Sequence, residues 1–420
     1  MNPTEKRYEI AAEIYKDAGI DTEKVLDCLD GMPLSLHAWQ GDDVKGFEGS
    51  AHALTGGCQV TGNYPGCART SEELRADLDV ALKLLPGKKL RVCLQGHEMD
   101  TLRPGQDRDT LDVSNFSGWL DWAASRRLGM DIAPAYYSHP KLDRGLSLSH
   151  PDKAIRDFWI EHGRACRRIG AAFARRLCTP AVCNVWVPDG YKDVPVDRRA
   201  PRERLLASLD ATFSEAIPET EVLDAVESKL FGIGVECYTV GSHDFYLTYA
   251  AQHNKLICLD TGHFHPTESI PDKLSSICSQ QGRILLHVSR GVRWDSDHVI
   301  LLDDPLLDLG REVVRNSNGK NIFVTLDYFD ASINRIAAWV IGARNWQKAL
   351  LIGMLEPSSA IAAAENAGDF TARMAGREAL RSLPWGAVWE YYCASRNVPS
   401  DAQVLEPIRA YEKTVLAKRG

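Results

Sequence analysis

KLRVCLQGHEMDTLRPGQDRDTLDVSNFSGWLDWAASRRLGMDIAPAYY (89–137) decides the fold. KLRVCLQ (89–95) and MDIAPAYY (130–137) are short apolar runs of strand composition. Between them, NFSGWLDWAASRRLG (115–129) has apolar residues at helical spacing and ends on glycine, a common helix stop. Strand, helix, strand is the unit from which parallel sheets are built. Six further runs extend the pattern: PLSLHAW (33–39), VCNVWV (182–187), VLDAVESKL (222–230), KLICLD (255–260), RILLHV (283–288) and NIFVTLD (321–327). Helical patterns cover 71–85 (opened by a Ser cap), 152–178, 201–216, 306–316 and 331–350. Eight β-α units predict a closed (β/α)8 barrel over residues 30–350, with a doubly wound open sheet as the competing layout. No GxGxxG follows any strand, which argues against a dinucleotide site. Residues 1–29 read as one helix and a short turn. Residues 351–420 read as a helical extension of the kind that often forms an oligomer contact.

The bulk numbers agree with a globular soluble protein. The chain has 420 residues, 44% of them hydrophobic and 25% charged, with a formal net charge of −8. That acidity disfavours a nucleic-acid partner, which calls for a basic face. MNPTEKRYEIAAEIYKDAGI (1–20) has no apolar signal-peptide region, and no run is long enough to span a membrane. Eleven scattered cysteines without a CxxC pair read as reduced thiols in a cytoplasmic protein.

Chemistry in a (β/α)8 barrel sits at the C-terminal ends of the strands. Strand one carries His37 and Trp39, and strand four ends in Trp186 and Asp189. Strand five carries Glu227 and Lys229, two apart and so on one face. Strand six ends in Asp260, with His263 and His265 just beyond; strand seven carries His287, followed by VRWDSDH (292–298) with Asp295 and Asp297; strand eight ends in Asp327. Taken singly, a histidine in an apolar strand is an ordinary core residue, a DxD loop is a solvated turn, and Glu227 with Lys229 is an ion pair. Four adjacent strands that raise carboxylates and imidazoles to one rim are another matter, because unpaired they would repel each other and resist desolvation. Divalent ions would compensate them, and about seven oxygen-rich ligands suit two ions of the Mn²⁺, Mg²⁺ or Co²⁺ type. The residues leave His263 and His265 undecided. Such a centre supports phosphodiester hydrolysis or aldose–ketose isomerisation. Phosphate chemistry favours cations around the site. The flanking residues here are the aromatics Trp39, Trp186, Trp294, Tyr328 and Phe329, which suit the apolar faces of a sugar.

Eight long segments now resemble a known family: LHAWQGDDV (36–44), LTGGCQVTGNYPG (54–66), VWVPDGYKD (185–193), DAVESKLFGIGVECYTVGS (224–242), LDTGHFHPTE (259–268), LLHVSRGVRWDSDHVILLDD (285–304), LDYFDASINRIAAWVIGARN (326–345) and RSLPWGAVWEYY (381–392). The family is bacterial L-rhamnose isomerase, and the resemblance covers nearly the whole chain. It implies a (β/α)8 barrel of the xylose-isomerase kind with extra helices, assembled as a cytoplasmic homotetramer. It implies interconversion of L-rhamnose and L-rhamnulose, the first step of L-rhamnose catabolism, with a hydrogen moving between C1 and C2. Mn²⁺ is the expected ion, two per subunit, with Zn²⁺, Co²⁺ or Mg²⁺ admissible at one site. The resemblance assigns Glu227, Asp260, His287 and Asp327 to a structural ion. It assigns His263, Asp295 and Asp297 to a catalytic ion, with Asp260 as a bridge, and so favours His263 over His265. Lys229, Trp186, Trp39 and Phe329 would contact the sugar, and segment 54–66 would close over its methyl end. Asp327 would orient a water that carries the proton, with a hydride shift as the alternative, and Lys229 would polarise a substrate oxygen or relay a proton. The chain departs from the family at CLQGHEMD (93–100), where a strand-two histidine is replaced either by Gln95 or by His97 reaching in, and at Ala133, where the family has Asn. A dimetal phosphodiesterase on a similar barrel is the rival reading.

Overall fold

A computed structural model describes residues 2–48, 55, 58, 60–293, 297–316 and 319–419. Asp295, Trp294 and most of the 49–59 stretch lie outside the described residues.

The eight expected runs form eight parallel strands: β1 (Leu34–His37), β2 (Leu90–Gln95), β3 (Gly129–Ala133), β4 (Ala181–Trp186), β5 (Val222–Glu227), β6 (Leu256–Asp260), β7 (Ile284–Val288) and β8 (Ile322–Leu326). Each pairs with its sequence neighbour, and Ser35 opposite Thr325 joins β1 to β8, which closes the barrel. The interior floor is apolar, built from Val182, Leu223, Ala225, Leu256, Cys258 and Leu285. Registers then stack polar residues above it, with Glu227 opposite Cys258 and Asp260 opposite His287. A two-residue strand period carries each chain from this floor to the rim on one face.

Local chemistry moves several element ends from where the sequence pattern put them. β3 stops at Ala133 because Pro134 cannot donate to the ladder. The helix after β1 is Ser71–Lys83, and its cap is Thr70, whose extended backbone lets the hydroxyl accept from Glu73 N; Ser71 instead reaches Asp100. The helix before β3 ends at Arg126, with Arg127 in the left-handed conformation at φ 57°. Gly129 is not its stop signal but the first residue of β3, where a Cβ would collide with the Arg91 guanidinium. The amino-terminal segment holds two helices, Pro3–Asp17 and Thr22–Asp30, rather than a helix and a turn, because Asp21 caps the second. A two-stranded ribbon of Gly190–Tyr191 and Tyr238–Thr239, absent from the sequence reading, sits outside the barrel.

Beyond the barrel, Ser358–Asn366 and Phe370–Leu380 bury no residue, whereas Trp385–Ser395 buries Val388, Trp389, Tyr392 and Cys393. Tyr391 stacks on Tyr8, and Tyr392 and Arg396 bind Asp30, which ties the two ends of the chain together. The longest helix, Lys153–Leu177, is pinned to β5 by a buried pair in which Arg167 Nε and Nη2 donate to Asp224 at 2.8 and 3.0 Å. The helices Asp304–Arg315 and Arg335–Met354 meet at Gly310, where a Cβ would stand 2.7 Å from the Ala349 backbone. Gly310→Ala would gain up to about 1 kcal/mol of helix propensity but lose roughly 1–3 kcal/mol to overpacking. A net loss of stability in denaturant melts is therefore expected.

Candidate functional site

The polar residues at the ends of β4 to β8 converge on one cavity. Its lining includes Trp39, Gln95, Trp186, Glu227, Lys229, His263, His287, Asp297, Asp327 and Phe329. Two ligand sets open on it. Glu227, Asp260, His287 and Asp327 each place one ligand atom within 4.8 Å of the others, and Asp260, His263 and Asp297 do the same. Asp260 belongs to both. Asp295 lies outside the described residues.

His287 Nδ1 lies 2.8 Å from Asp327 Oδ2 and 3.2 Å from Glu227 Oε2. Trp39 Nε1 donates to Asp327 Oδ1 at 2.8 Å, which fixes that carboxylate. Asn184, two residues before Trp186 and so on the same strand face, donates to Glu227 Oε2. His263 Nδ1 donates to the Ser228 carbonyl at 2.9 Å, so Nε2 carries the lone pair. Nε2 is 3.8 Å from Asp297 Oδ1. Asp260 Oδ1 accepts from Gly262 N at 2.6 Å and Ser289 Oγ at 2.7 Å.

This arrangement lacks positive charge. Glu227, Asp260, Asp297 and Asp327 outnumber the two imidazoles His263 and His287, so the sets stay anionic even with both rings protonated. Burial drives the Asp260 carboxyl well above the usual carboxylate range, and Asp297, Asp327 and Glu227 push it further against the pull of His263. Burial also raises Glu227, but His287 and His263 overcome it and hold that carboxylate below its ordinary value. Asp260 Oδ2 and Glu227 Oε1 are buried without hydrogen-bond partners. Buried carboxylate oxygens without donors are expensive unless a cation meets them. The donor set, oxygens with a minority of imidazole nitrogen, fits hard or borderline divalent ions.

Several expected residues are placed elsewhere. His97, the alternative to Gln95 at the end of strand two, is not among the residues that line the cavity. β2 ends at Gln95, the chain turns at Gly96, and His97 is carried off the interior face. It is fully buried, edge-on to Tyr137 with ring centroids 5.4 Å apart, and burial holds it well below the usual histidine range. Gln95 is the strand-two side chain at the cavity. His265 is exposed and engages Thr267, which leaves His263 as the inward ring. Asp189 is a clamp for the 147–149 turn, accepting from the backbone and hydroxyls of Ser147 and Ser149. Tyr328 turns outward to donate to the Ala338 carbonyl. Trp186 sits under the Lys229 ammonium, 5.3 Å from ring centroid to Nζ. The sequence reading missed Asn184 and Ser289. Both lie two residues from a residue it singled out, so the strand period points to them. A larger cavity of about 670 Å³, lined by Phe264, Ile270, Leu301 and Arg377 among others, contains neither ligand set.

Comparison with known proteins agrees with the motifs. Residues 2–419 match the family described as L-rhamnose isomerase (RhaA). The L-rhamnose isomerase of Mannheimia succiniciproducens is 53% identical over 419 residues, 100% of both chains. That of Escherichia coli (strain K12) is 51% identical over 416 residues, 99% of each. Among solved structures, the D-psicose 3-epimerase of Clostridium cellulolyticum H10 is 13% identical with a TM-score of 0.44, covering 77% of this chain and 98% of that one. That likeness is too distant to bear on the chemistry. The full-length matches, laid over a closed barrel with a carboxylate–imidazole rim, place the chain in the L-rhamnose isomerase family.

Proposed function

We propose that the chain is an aldose–ketose isomerase interconverting L-rhamnose and L-rhamnulose, and that it works with two divalent ions, Mn²⁺ foremost, with Zn²⁺, Co²⁺ or Mg²⁺ admissible at one site. The carrying observation is the family match over residues 2–419. Two ligand sets sharing Asp260 support the pair of ions. Glu227, Asp260, His287 and Asp327 would hold one ion, and His263, Asp297 and Asp295 the other, with Asp260 between them. Such ions supply Lewis-acid polarisation of the sugar oxygens. The side chains do the rest. Trp39 and Phe329 wall the cavity and Trp186 packs beneath Lys229, whose ammonium would polarise a substrate oxygen. Asp327, held by Trp39 and His287, orients the proton carrier between C1 and C2. Gln95 offers a carboxamide to the cavity at the end of strand two, so ring opening at this position proceeds without an imidazole.

Phosphodiester chemistry is the weaker reading. Lys229 is the only cation among the described residues of the cavity lining, too few to neutralise a phosphoryl transition state. The same proposal extends to a cytoplasmic homotetramer. Eleven free thiols fit a reducing compartment. Phe370 and Met374, 58% and 66% exposed on a helix without buried residues, fit a subunit contact. No helix among the described residues is long and apolar enough to cross a membrane.

The decisive experiment is ketose formation from L-rhamnose by metal-loaded and EDTA-stripped protein. Turnover should vanish on stripping and return with Mn²⁺. Ketose formation indifferent to chelation would overturn the metal assignment, and no ketose under any loading would overturn the activity.

A further inference from the structure

Gln95 is held at both ends. Its backbone N–H donates to Glu98 Oε2 at 2.7 Å, and its side-chain Oε1 accepts from the Tyr137 hydroxyl. Burial pushes the Tyr137 phenol well above its ordinary range, so the hydroxyl keeps its proton and acts as the donor. Tyr137 is itself braced. It is 1% exposed, its ring stands edge-on to both His97 and Trp186, and its carbonyl accepts from Arg108 Nη1 at 2.7 Å. The Arg108 guanidinium is in turn paired with Glu48. A phenol fixed in this way fixes the carboxamide too, because an oxygen engaged by a donor leaves the NH2 group as the free end. Among the described residues, no group accepts from Gln95 Nε2. Gln95 and Tyr137 both line the cavity, beside Ala133 and Pro134, which bring no polar side chain. Two other neutral donors of the lining are already engaged, Asn184 Nδ2 with Glu227 and Trp39 Nε1 with Asp327.

We propose that Tyr137 is a positioning residue that locks the Gln95 carboxamide with its NH2 group toward the cavity, so that the strand-two edge is a fixed hydrogen-bond donor for a sugar oxygen. β2 stands opposite β6 in the closed barrel, so Gln95 faces the Asp260 side across the cavity. Ionised carboxylates on that side only accept. A sugar hydroxyl can give its proton to them, and its lone pairs then need a donor from the other side. Gln95 supplies one without a titratable group. Free to rotate, the carboxamide would offer its oxygen as readily as its nitrogen, and some orientations would set lone pairs face to face. Tyr137 removes that choice. The proposal rests on the reading of this cavity as the site of an aldose.

The test measures kcat and KM for L-rhamnose in metal-loaded full-length protein: wild type, Tyr137→Phe, Gln95→Met, the double variant and Gln95→Glu. Loss of one neutral hydrogen bond predicts a roughly three- to tenfold rise in KM for Tyr137→Phe and for Gln95→Met, with kcat changed less. Because Tyr137 acts only through Gln95, the double variant should match Gln95→Met. A purely structural role would multiply the two effects, and that outcome overturns the proposal, as does a loss in Tyr137→Phe confined to kcat or an unchanged KM. Gln95→Glu keeps an oxygen for Tyr137 but replaces the NH2 group by a second oxygen, so its KM should rise at least as far. A wild-type KM in that variant overturns the donor role even where Tyr137→Phe fails to fold. Mn²⁺ binding, followed by electron paramagnetic resonance, should be the same in all of these proteins. A variant that loses Mn²⁺ places the effect at the ion seats and overturns the donor role. A wild type that forms no ketose overturns the reading of the site instead.

Discussion

Asp297→Ala is expected to abolish isomerisation while the barrel stays folded. The side chain converges with those of Asp260 and His263, and its Oδ1 faces His263 Nε2 across 3.8 Å. Removing one electrostatic group aimed at developing charge typically costs about 10²–10³ in rate. Losing a ligand of an already small set should reach at least the top of that range. Stability should hold, because the rim carries more carboxylates than imidazoles and shedding one relieves repulsion rather than opening a hole in the core. Ketose formation, read beside a thermal melt in the absence of metal, separates the two effects. His265→Ala is the matched control, since that ring engages Thr267 outside the cavity, and it should leave turnover unchanged. Near wild-type turnover in Asp297→Ala would remove the second ligand set from the reading.

A comparably large effect, this time on stability, is expected for Asp224→Ala. Asp224 receives Arg167 through two hydrogen bonds and Lys255 Nζ at 2.7 Å, and the Arg167 side chain is only 2% exposed. Truncation strands a buried guanidinium, and breaking such a pair costs about 3–5 kcal/mol. The loss falls on the junction between the Lys153–Leu177 helix and β5, one strand from the rim residues of β4 and β6. Urea melts should report it, and adding Arg167→Met should recover part of it by removing the stranded charge. A double variant no more stable than Asp224→Ala would show that the loss comes from packing and not from the unpaired cation.

What could be read beforehand, and what could not, follows from the range of the interactions involved. All eight strands were legible because buried parallel strands are short apolar runs bounded by polar turns, a pattern carried by each segment alone. Their ends were less so. The stop of β3 was written in Pro134, but the role of Gly129 depends on the distant Arg91 side chain, and only the folded chain brings the two together. Asn184 and Ser289 were within reach of the two-residue period, yet their importance lies in what they bind, Glu227 and Asp260 on other strands.

The sequence by itself determined the eight-fold strand–helix alternation, the family, and the residue types raised to one rim. Those are local or chain-long patterns, set by periodicity and composition. Only the tertiary structure decided that Gln95 and not His97 meets the cavity, that His263 faces inward while His265 caps a turn, that Asp189 clamps a loop, and that Asp260 belongs to both ligand sets. Each of these depends on where a turn after a strand points its side chains, and that direction is set by packing against segments far away in the chain.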